Sequence, residues 1–156
     1  MKNRAGSTRF RVIIFILTAA MIAFAFIHSA MPAEASAEES ENVMGFLQSF
    51  FRLFGFNAEL TDHIVRKSAH FAEYSVIGML LTSCAYSFCR TRPHKYYAQI
   101  LFAGLATAVC DEAIQLNTSG RSGQISDVLL DFTGVLIGAV LMLIIYFLYR
   151  KIRKIS

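Results

Sequence analysis

The sequence predicts an all-α membrane protein, a polytopic bundle of four transmembrane helices with a short interfacial helix in its first outer loop. The composition is the first reason: 55% of the 156 residues are hydrophobic, 17% are charged, and the mean hydropathy is +0.49. These values are too apolar for an ordinary soluble domain of this length. The second reason is that four apolar windows approach the roughly 20 residues that a helix needs to cross a bilayer.

The four windows lie at residues 12–31, 70–89, 97–116 and 128–149, and we expect one domain over residues 1–156. The first and last windows are uninterrupted apolar runs, whereas the second and third carry polar residues at one end. A cleaved signal peptide is the alternative for the first window, because basic residues precede it and small residues follow it. The length of its apolar run favours a retained helix.

The outer loop, residues 32–66, contains an acidic linker and then a Phe-rich segment at 43–56. Four of its apolar residues fall on one helical face: Val43, Leu47, Phe50 and Phe54. The segment is too short to span a bilayer, so it predicts an interfacial helix; a helix covering the mouth of the bundle is the alternative. We expect Thr61 to cap a helix that continues into the second window, and Ser126 to cap the fourth.

The basic residues predict the orientation. Eleven of the 15 Lys and Arg side chains precede the first window, separate the second from the third, or follow the fourth, and all 11 carboxylates lie elsewhere. Because Lys and Arg near helix ends stay on the cytoplasmic side, we expect a multi-pass protein of the cell membrane with both termini in the cytoplasm. The net charge of +4 then describes an inner face beside anionic lipid and does not indicate nucleic-acid binding.

Polar and ionisable side chains cluster at the outer ends of the last three windows. Glu73, Asp111 and Asp131 each lie about 8 Å inside the outer end of a helix, counting about 1.5 Å per residue. Because charge that faces lipid is costly, we expect the cluster to face inwards and to bind a ligand. Its candidate residues are Arg66, Lys67, His70, Glu73, Tyr74, Asp111, Glu112, Gln115, Arg121, Asp127 and Asp131.

The five carboxylates of this cluster outnumber its three Lys and Arg side chains. Protons, a bound cation, a cationic group of a ligand, or water must balance the difference. The cofactor is unknown: a divalent cation is one option, but the spacing of the residues does not indicate one and no metal ligand is assigned. For Asp127, a first-turn position favoured by the helix dipole is the alternative to a binding role, whereas the dipole disfavours Asp111 and Glu112 near the end of an outward-running helix.

Two segments of this cluster resemble the VanZ-like family: "VRKSAHFAEYSVIGMLL" at 65–81 and "DEAIQLNTSGRSGQISDVLLDFTGVLIG" at 111–138. The family comprises small bacterial membrane proteins named for glycopeptide, chiefly teicoplanin, resistance. The segment at 29–40 is similar to the one that follows the family's first helix. Ile114 stands where the family often has His, which weakens a two-histidine metal site. The residues that match the family pattern are Arg66, Lys67, His70, Glu73, Tyr74, Asp111, Glu112, Gln115, Gly120, Arg121, Asp127, Asp131, Gly134 and Gly138.

The resemblance implies a protein of the bacterial cell envelope that contributes to teicoplanin-type glycopeptide resistance. It would bind a lipophilic glycopeptide or a lipid-linked cell-wall precursor in an outward-facing polar cleft. The alternative is a membrane enzyme acting on a lipid-linked phosphate or sugar headgroup at the outer leaflet, with Arg66 and Arg121 holding phosphate. Its catalytic candidates are His70, Glu73, Asp111 and Glu112. Transport, and a network that only fixes helix packing, are further alternatives.

Overall fold

The computed structural model describes residues 7–38, 41, 43–45, 61–90 and 92–152, and the regular secondary structure in these ranges is helical throughout. The all-α prediction is therefore confirmed. Four long helices follow one another: α1 (Thr8–Ser29), α2 (Asp62–Phe88), α3 (Tyr97–Leu116) and α4 (Ile125–Ile152). A 3₁₀ turn, Pro93–Tyr96, directly precedes α3. Of the predicted interfacial segment at 43–56, residues 46–56 lie outside the described part of the chain.

Three stretches are long and apolar enough to cross a membrane: Thr8–Ser29, Pro93–Leu116 and Ile125–Ile152. Large apolar side chains on these helices are exposed, including Ile27, Phe102 and Phe147 at 68%, 74% and 66%. Such a surface is favoured in the hydrocarbon of a bilayer, because there its apolar side chains are removed from water. The protein is therefore a multi-pass membrane protein.

Helix α2 was expected as a fourth span, but by length and composition it is not among the candidate spans. It carries Glu73 and several Ser, Thr and Tyr residues, and it is the helix with the most buried positions in the described bundle. The hydroxyls of Thr82, Ser83 and Ser87 donate to carbonyls of α2 itself, so they need no water. Neighbouring helices cover α2, so its polar side chains contact protein and lower its mean hydropathy without facing lipid. The count of four membrane spans stays a prediction.

The closest helix pair is α2 and α4, which share the most extensive interface in the described bundle. Glycines make this approach possible: a Cβ at Gly134 would lie 2.7 Å from the carbonyl oxygen of Phe71, and one at Gly138 would overlap the carbonyl oxygen of Ser75. Small residues at such spacing let two membrane helices pack backbone to backbone. The close pairing brings the N-terminal end of α4 against that of α2.

Several predicted helix boundaries need correction, because apolar windows count hydrophobic residues and do not detect capping. α1 ends at Ser29 and not at residue 31, since Pro32 disfavours the helical conformation in the residue before it. α2 begins at Asp62 with Thr61 as its N-cap, as predicted. α4 begins at Ile125, so the prediction that Ser126 caps it is wrong; the carbonyl of Gln124 accepts the first backbone hydrogen bonds.

Candidate functional site

Three buried side chains from three helices meet at the end of the bundle where α2 and α4 begin, which the basic residues predict to be the outer end. His70 lies on α2, Asp111 on α3 and Asp131 on α4, and one nitrogen or oxygen atom of each lies within 4.8 Å of the others. His70 Nδ1 is 3.9 Å from Asp111 Oδ2 and 3.7 Å from Asp131 Oδ1. We call these three residues the His–Asp triad; in the described residues their ligand atoms are close enough together to hold one metal ion. The sequence predicted a shared depth for Glu73, Asp111 and Asp131, and the structure brings the two aspartates together with His70 as the third member.

Asp111 is fixed by hydrogen bonds on one of its two oxygens. Ser29 Oγ donates to Asp111 Oδ2 at 2.7 Å, and Gln115 Nε2 donates to the same oxygen at 3.1 Å. Gln115 also donates to Ser29 Oγ at 3.3 Å. The end of α1 thus reaches the carboxylate of α3 and determines how it is oriented.

A second contact joins α1 to α2 beside the triad. His28 Nδ1 and Glu73 Oε1 are 3.1 Å apart, and the His28 ring stacks on the His70 ring with centroids 5.9 Å apart. Glu73 is therefore engaged by a histidine of α1, which leaves His70 to the two aspartates. Tyr74 is fully buried, and its hydroxyl donates to the carbonyl of Thr107 at 3.4 Å, so it serves the helix interface.

Arg121 attaches the turn between α3 and α4 to the end of α1. Its Nε donates to the carbonyl of Met31 at 3.0 Å and a terminal nitrogen donates to the carbonyl of His28 at 3.3 Å. The C-terminal carbonyls of a helix carry partial negative charge, so a guanidinium is favoured there. Burial and the neighbouring guanidinium of Arg66 lower the pKa of Arg121. Gly120, with φ of 76°, supplies the left-handed conformation that this turn requires.

Two carboxylates at the outer ends have local partners. Lys67 Nζ lies 2.8 Å from Asp127 Oδ1, which ties α2 to the first turn of α4. Glu112 Oε1 accepts a hydrogen bond from the backbone N–H of Gln124, immediately before α4. The carboxylate of Glu112 thus satisfies a backbone donor that precedes the next helix, which accounts for an acid placed where its own helix dipole disfavours it.

Beside the triad, at the predicted outer end, lies a cavity of about 100 Å³. Seven of the eleven predicted residues line it: Arg66, Lys67, His70, Gln115, Arg121, Asp127 and Asp131. The other four, Glu73, Tyr74, Asp111 and Glu112, are not part of its lining. The structure thus brings the predicted cations together at one small polar space, with His70 and Asp131 in the same wall.

A family comparison bears on this arrangement. Residues 13–146 match the model of a family described as VanZ/LLP1, which covers most of the chain. The chain belongs to the VanZ/LLP1 family. No curated protein and no solved structure matched this VanZ/LLP1 chain.

The match runs from α1 to α4, so it includes every described helix that contributes to the VanZ/LLP1 site. Sequence reasoning missed two residues at the end of α1 and four in the cavity wall: His28, Ser29, His63, Ser122, Gln124 and Leu130. His28 and Ser29 carried a signal in their position, as polar residues that end an apolar helix. Ser122 and Gln124 lie beside Arg121 in a turn where polar residues are common and therefore uninformative.

Proposed function

We propose that this VanZ/LLP1 protein is a bacterial cell-envelope protein that binds the phosphate-bearing headgroup of a lipid-linked cell-wall precursor. The headgroup would enter the outward cavity, and its sequestration would contribute to teicoplanin-type glycopeptide resistance. The observation that carries the proposal is the cavity itself, in which Arg66, Lys67 and Arg121 share one small polar space.

The charge of these three residues favours an anionic ligand. Lys67 has Asp127 as a partner, whereas Arg121 donates to two neutral carbonyls and, in the described part of the chain, contacts no carboxylate within 4.0 Å. Arg66 and Arg121 are near enough for their charges to interact. An anion between two guanidinium groups relieves their repulsion, and phosphate accepts hydrogen bonds from guanidinium in paired geometry.

The size of the cavity favours a headgroup over a whole drug molecule. Sites that enclose drug-sized ligands have volumes of about 300–1,000 Å³, and this cavity has about 100 Å³. A phosphate group fits such a space, whereas a glycopeptide does not. The lipid tail of a precursor would then lie along the exposed apolar helices in the bilayer.

Direct binding tests the first half of the proposal. The full chain in nanodiscs is titrated with undecaprenyl phosphate, and undecaprenol, which lacks the phosphate, is the matched ligand. We expect binding of the phosphate form only, and a loss of at least about tenfold in Arg121→Ala, since a charge-assisted hydrogen bond contributes about 1.5–3 kcal/mol. Arg92→Ala, an exposed arginine before α3, should bind like the wild type. Equal binding of both lipids would refute the proposal.

Resistance tests the second half. The wild type, Arg121→Ala and Arg92→Ala are expressed in a teicoplanin-susceptible Gram-positive host, and protein levels are measured in parallel. We expect the wild type and Arg92→Ala to lower teicoplanin susceptibility and Arg121→Ala to lose this effect at equal abundance. If expression of the wild type left teicoplanin susceptibility unchanged, the proposed contribution to resistance would be refuted. The proposed binding of the precursor would then depend on the nanodisc titration alone.

A second candidate function is hydrolysis of the bound headgroup, because His70 lies in the cavity wall between two aspartates. An imidazole held by a carboxylate can take a proton from a water molecule that attacks phosphorus. Of the four catalytic candidates from the sequence, Glu73 contacts His28 and Glu112 accepts from Gln124, so His70 and Asp111 remain. The structure adds Asp131, which was not a catalytic candidate, on the other side of His70. Release of phosphate from undecaprenyl diphosphate by the purified protein, abolished in His70→Gln, would support this function over binding alone.

A further inference from the structure

We propose that His70, Asp111 and Asp131 form a site for a divalent transition-metal ion, Zn²⁺ or Mn²⁺. The inference depends on the geometry of the triad and not on the headgroup proposal. The three ligand atoms lie within 4.8 Å of one another and come from three different helices. A metal here would join the outer ends of α2, α3 and α4.

The spacing of the three ligand atoms fits a shared metal better than direct hydrogen bonds. The separations of 3.7 and 3.9 Å from His70 Nδ1 to the aspartate oxygens exceed normal hydrogen-bond lengths. In a tetrahedral Zn²⁺ site with bonds of about 2.1 Å, neighbouring ligand atoms are about 3.4 Å apart. Small side-chain rotations therefore bring all three atoms to bonding distance around one ion.

Unsatisfied oxygens provide a second, independent observation. Asp111 is 0% and Asp131 is 1% exposed. Both carboxylate oxygens of Asp131, and Oδ1 of Asp111, accept no hydrogen bond from any described residue. Buried carboxylate oxygens without partners are strongly unfavourable, and such oxygens in proteins are commonly paired or bound to metals.

Charge balance points in the same direction. Two buried carboxylates beside one histidine leave a net negative charge even when the imidazole is protonated. A divalent ion with a neutral imidazole balances both carboxylates, which a single proton does not. The surroundings also orient the ligands: Ser29 and Gln115 donate hydrogen bonds to Oδ2 of Asp111, the oxygen 3.9 Å from His70 Nδ1, and so fix the position of this carboxylate beside the imidazole. Hydrogen bonds of this kind to ligating carboxylates are typical of metal sites.

The mixed donor set selects the class of metal. Mg²⁺ and Ca²⁺ prefer oxygen ligands only, whereas imidazole suits transition metals, and carboxylates suit Zn²⁺ and Mn²⁺. Three protein ligands leave at least one coordination position open. Because His70 and Asp131 also line the cavity, that position faces the space where water or an anion can enter.

Metal titration of the full chain tests this site without any lipid substrate. The protein is purified in detergent, stripped with a chelator, and titrated with Zn²⁺, Mn²⁺ and Mg²⁺ by calorimetry. We expect one equivalent of Zn²⁺ or Mn²⁺ per chain, no comparable Mg²⁺ binding, and a loss of at least about 100-fold in Asp131→Asn, which has the same shape. The control Asp62→Asn makes the same change at the first turn of α2 and should leave the affinity unchanged.

X-ray absorption spectroscopy of the Zn²⁺-loaded wild type identifies the atoms around the metal, and this measurement does not depend on whether the variants fold. We expect only nitrogen and oxygen neighbours at about 2.0–2.2 Å. A sulfur neighbour at about 2.3 Å would assign the metal to cysteine and overturn the proposal. Absence of stoichiometric binding in the wild type, or equal affinity in Asp131→Asn, would also overturn it. None of these results bears on the proposed headgroup binding, which the titration with undecaprenyl phosphate tests separately.

Discussion

At the scale of single residues, Glu112 shows how one buried acid joins two helices. It belongs to α3, but its carboxylate accepts from the backbone N–H of Gln124, which precedes α4. Gly123 allows this contact, because a Cβ at that position would lie 3.0 Å from Glu112 Oε1 and would overlap the Leu116 side chain. The turn between the helices can therefore fold directly over the carboxylate.

Removal of this acceptor should destabilise the turn. We expect Glu112→Ala to lower the free energy of unfolding by about 1–2 kcal/mol, since the Gln124 N–H loses its acceptor at a helix start. Glu112→Gln keeps an acceptor oxygen and should cost less than half as much. Unfolding in a denaturing-detergent titration measures both, and equal losses in the two variants would contradict the capping role.

Substitution of Lys67, which pairs with Asp127, should change ligand affinity much more than stability. Their side chains are 33% and 26% exposed, so solvent screens the pair and its contribution to stability is small. We expect Lys67→Met to change the free energy of unfolding by less than about 1 kcal/mol but to weaken undecaprenyl phosphate binding by about tenfold.

The companion variant Asp127→Asn should act in the opposite direction on binding. It releases the Lys67 ammonium from its carboxylate partner, so affinity for undecaprenyl phosphate is expected to rise. The same nanodisc titration measures it. A fall in affinity would mean that Asp127 itself takes part in binding the headgroup.

For single site residues, the sequence predicted the depth along the helix but not the contact partners. Counting along each helix predicted a shared depth for Glu73, Asp111 and Asp131, and the structure places Asp111 and Asp131 together with His70. Their partners were not predictable, because the rise along a helix does not specify its rotation about its own axis. Glu73 therefore contacts His28, and Asp111 contacts Ser29, from a helix for which the sequence predicted no site residue.

At the scale of elements, the α2–α4 interface depends on glycines that have no room for a side chain. A Cβ at Gly138 would overlap the carbonyl oxygen of Ser75, and backbone atoms cannot rotate away as a side chain can. Gly134 and Gly138 are four residues apart, a GxxxG spacing that places both on one face of α4 and lets a neighbouring helix approach closely.

Substitution of this glycine should separate the two helices. We expect Gly138→Val to lower the free energy of unfolding by about 1–3 kcal/mol, the range for overpacking of a tight interface. Gly45→Ala is the control, because a Cβ there meets no atom within 4 Å. The detergent titration applies again, and a loss as large in Gly45→Ala would show a general effect of glycine replacement.

Helix identities were predictable from the sequence, but helix ends depend on interactions that hydropathy does not record. Thr61 was found because a hydroxyl before an acidic first turn is a capping signal, and it accepts from Ile64 N at 3.4 Å. The start of α4 was misplaced because the acceptor for its preceding backbone N–H is Glu112, which lies 12 residues earlier in the chain.

At the scale of the whole molecule, the number of spans determines where the termini lie. We expect four spans, α2 included, and both termini in the cytoplasm, because the basic residues flank the predicted inner ends. A fluorescent protein fused after residue 156 should therefore fluoresce, whereas alkaline phosphatase fused at residue 119 should be active outside. Phosphatase activity of a C-terminal fusion would indicate three spans and contradict this topology.

The distribution of the triad over α2, α3 and α4 also has a consequence for biosynthesis. The ribosome delivers His70 and Asp111 to the membrane before Asp131 has been synthesised, so the incomplete chain carries polar groups whose partners do not yet exist. Only arrival of the last helix brings Asp131 to His70 and Asp127 to Lys67. A nascent chain that stalls before α4 therefore leaves His70 without Asp131 and Lys67 without Asp127, and these two pairs form only when synthesis of the last helix is complete.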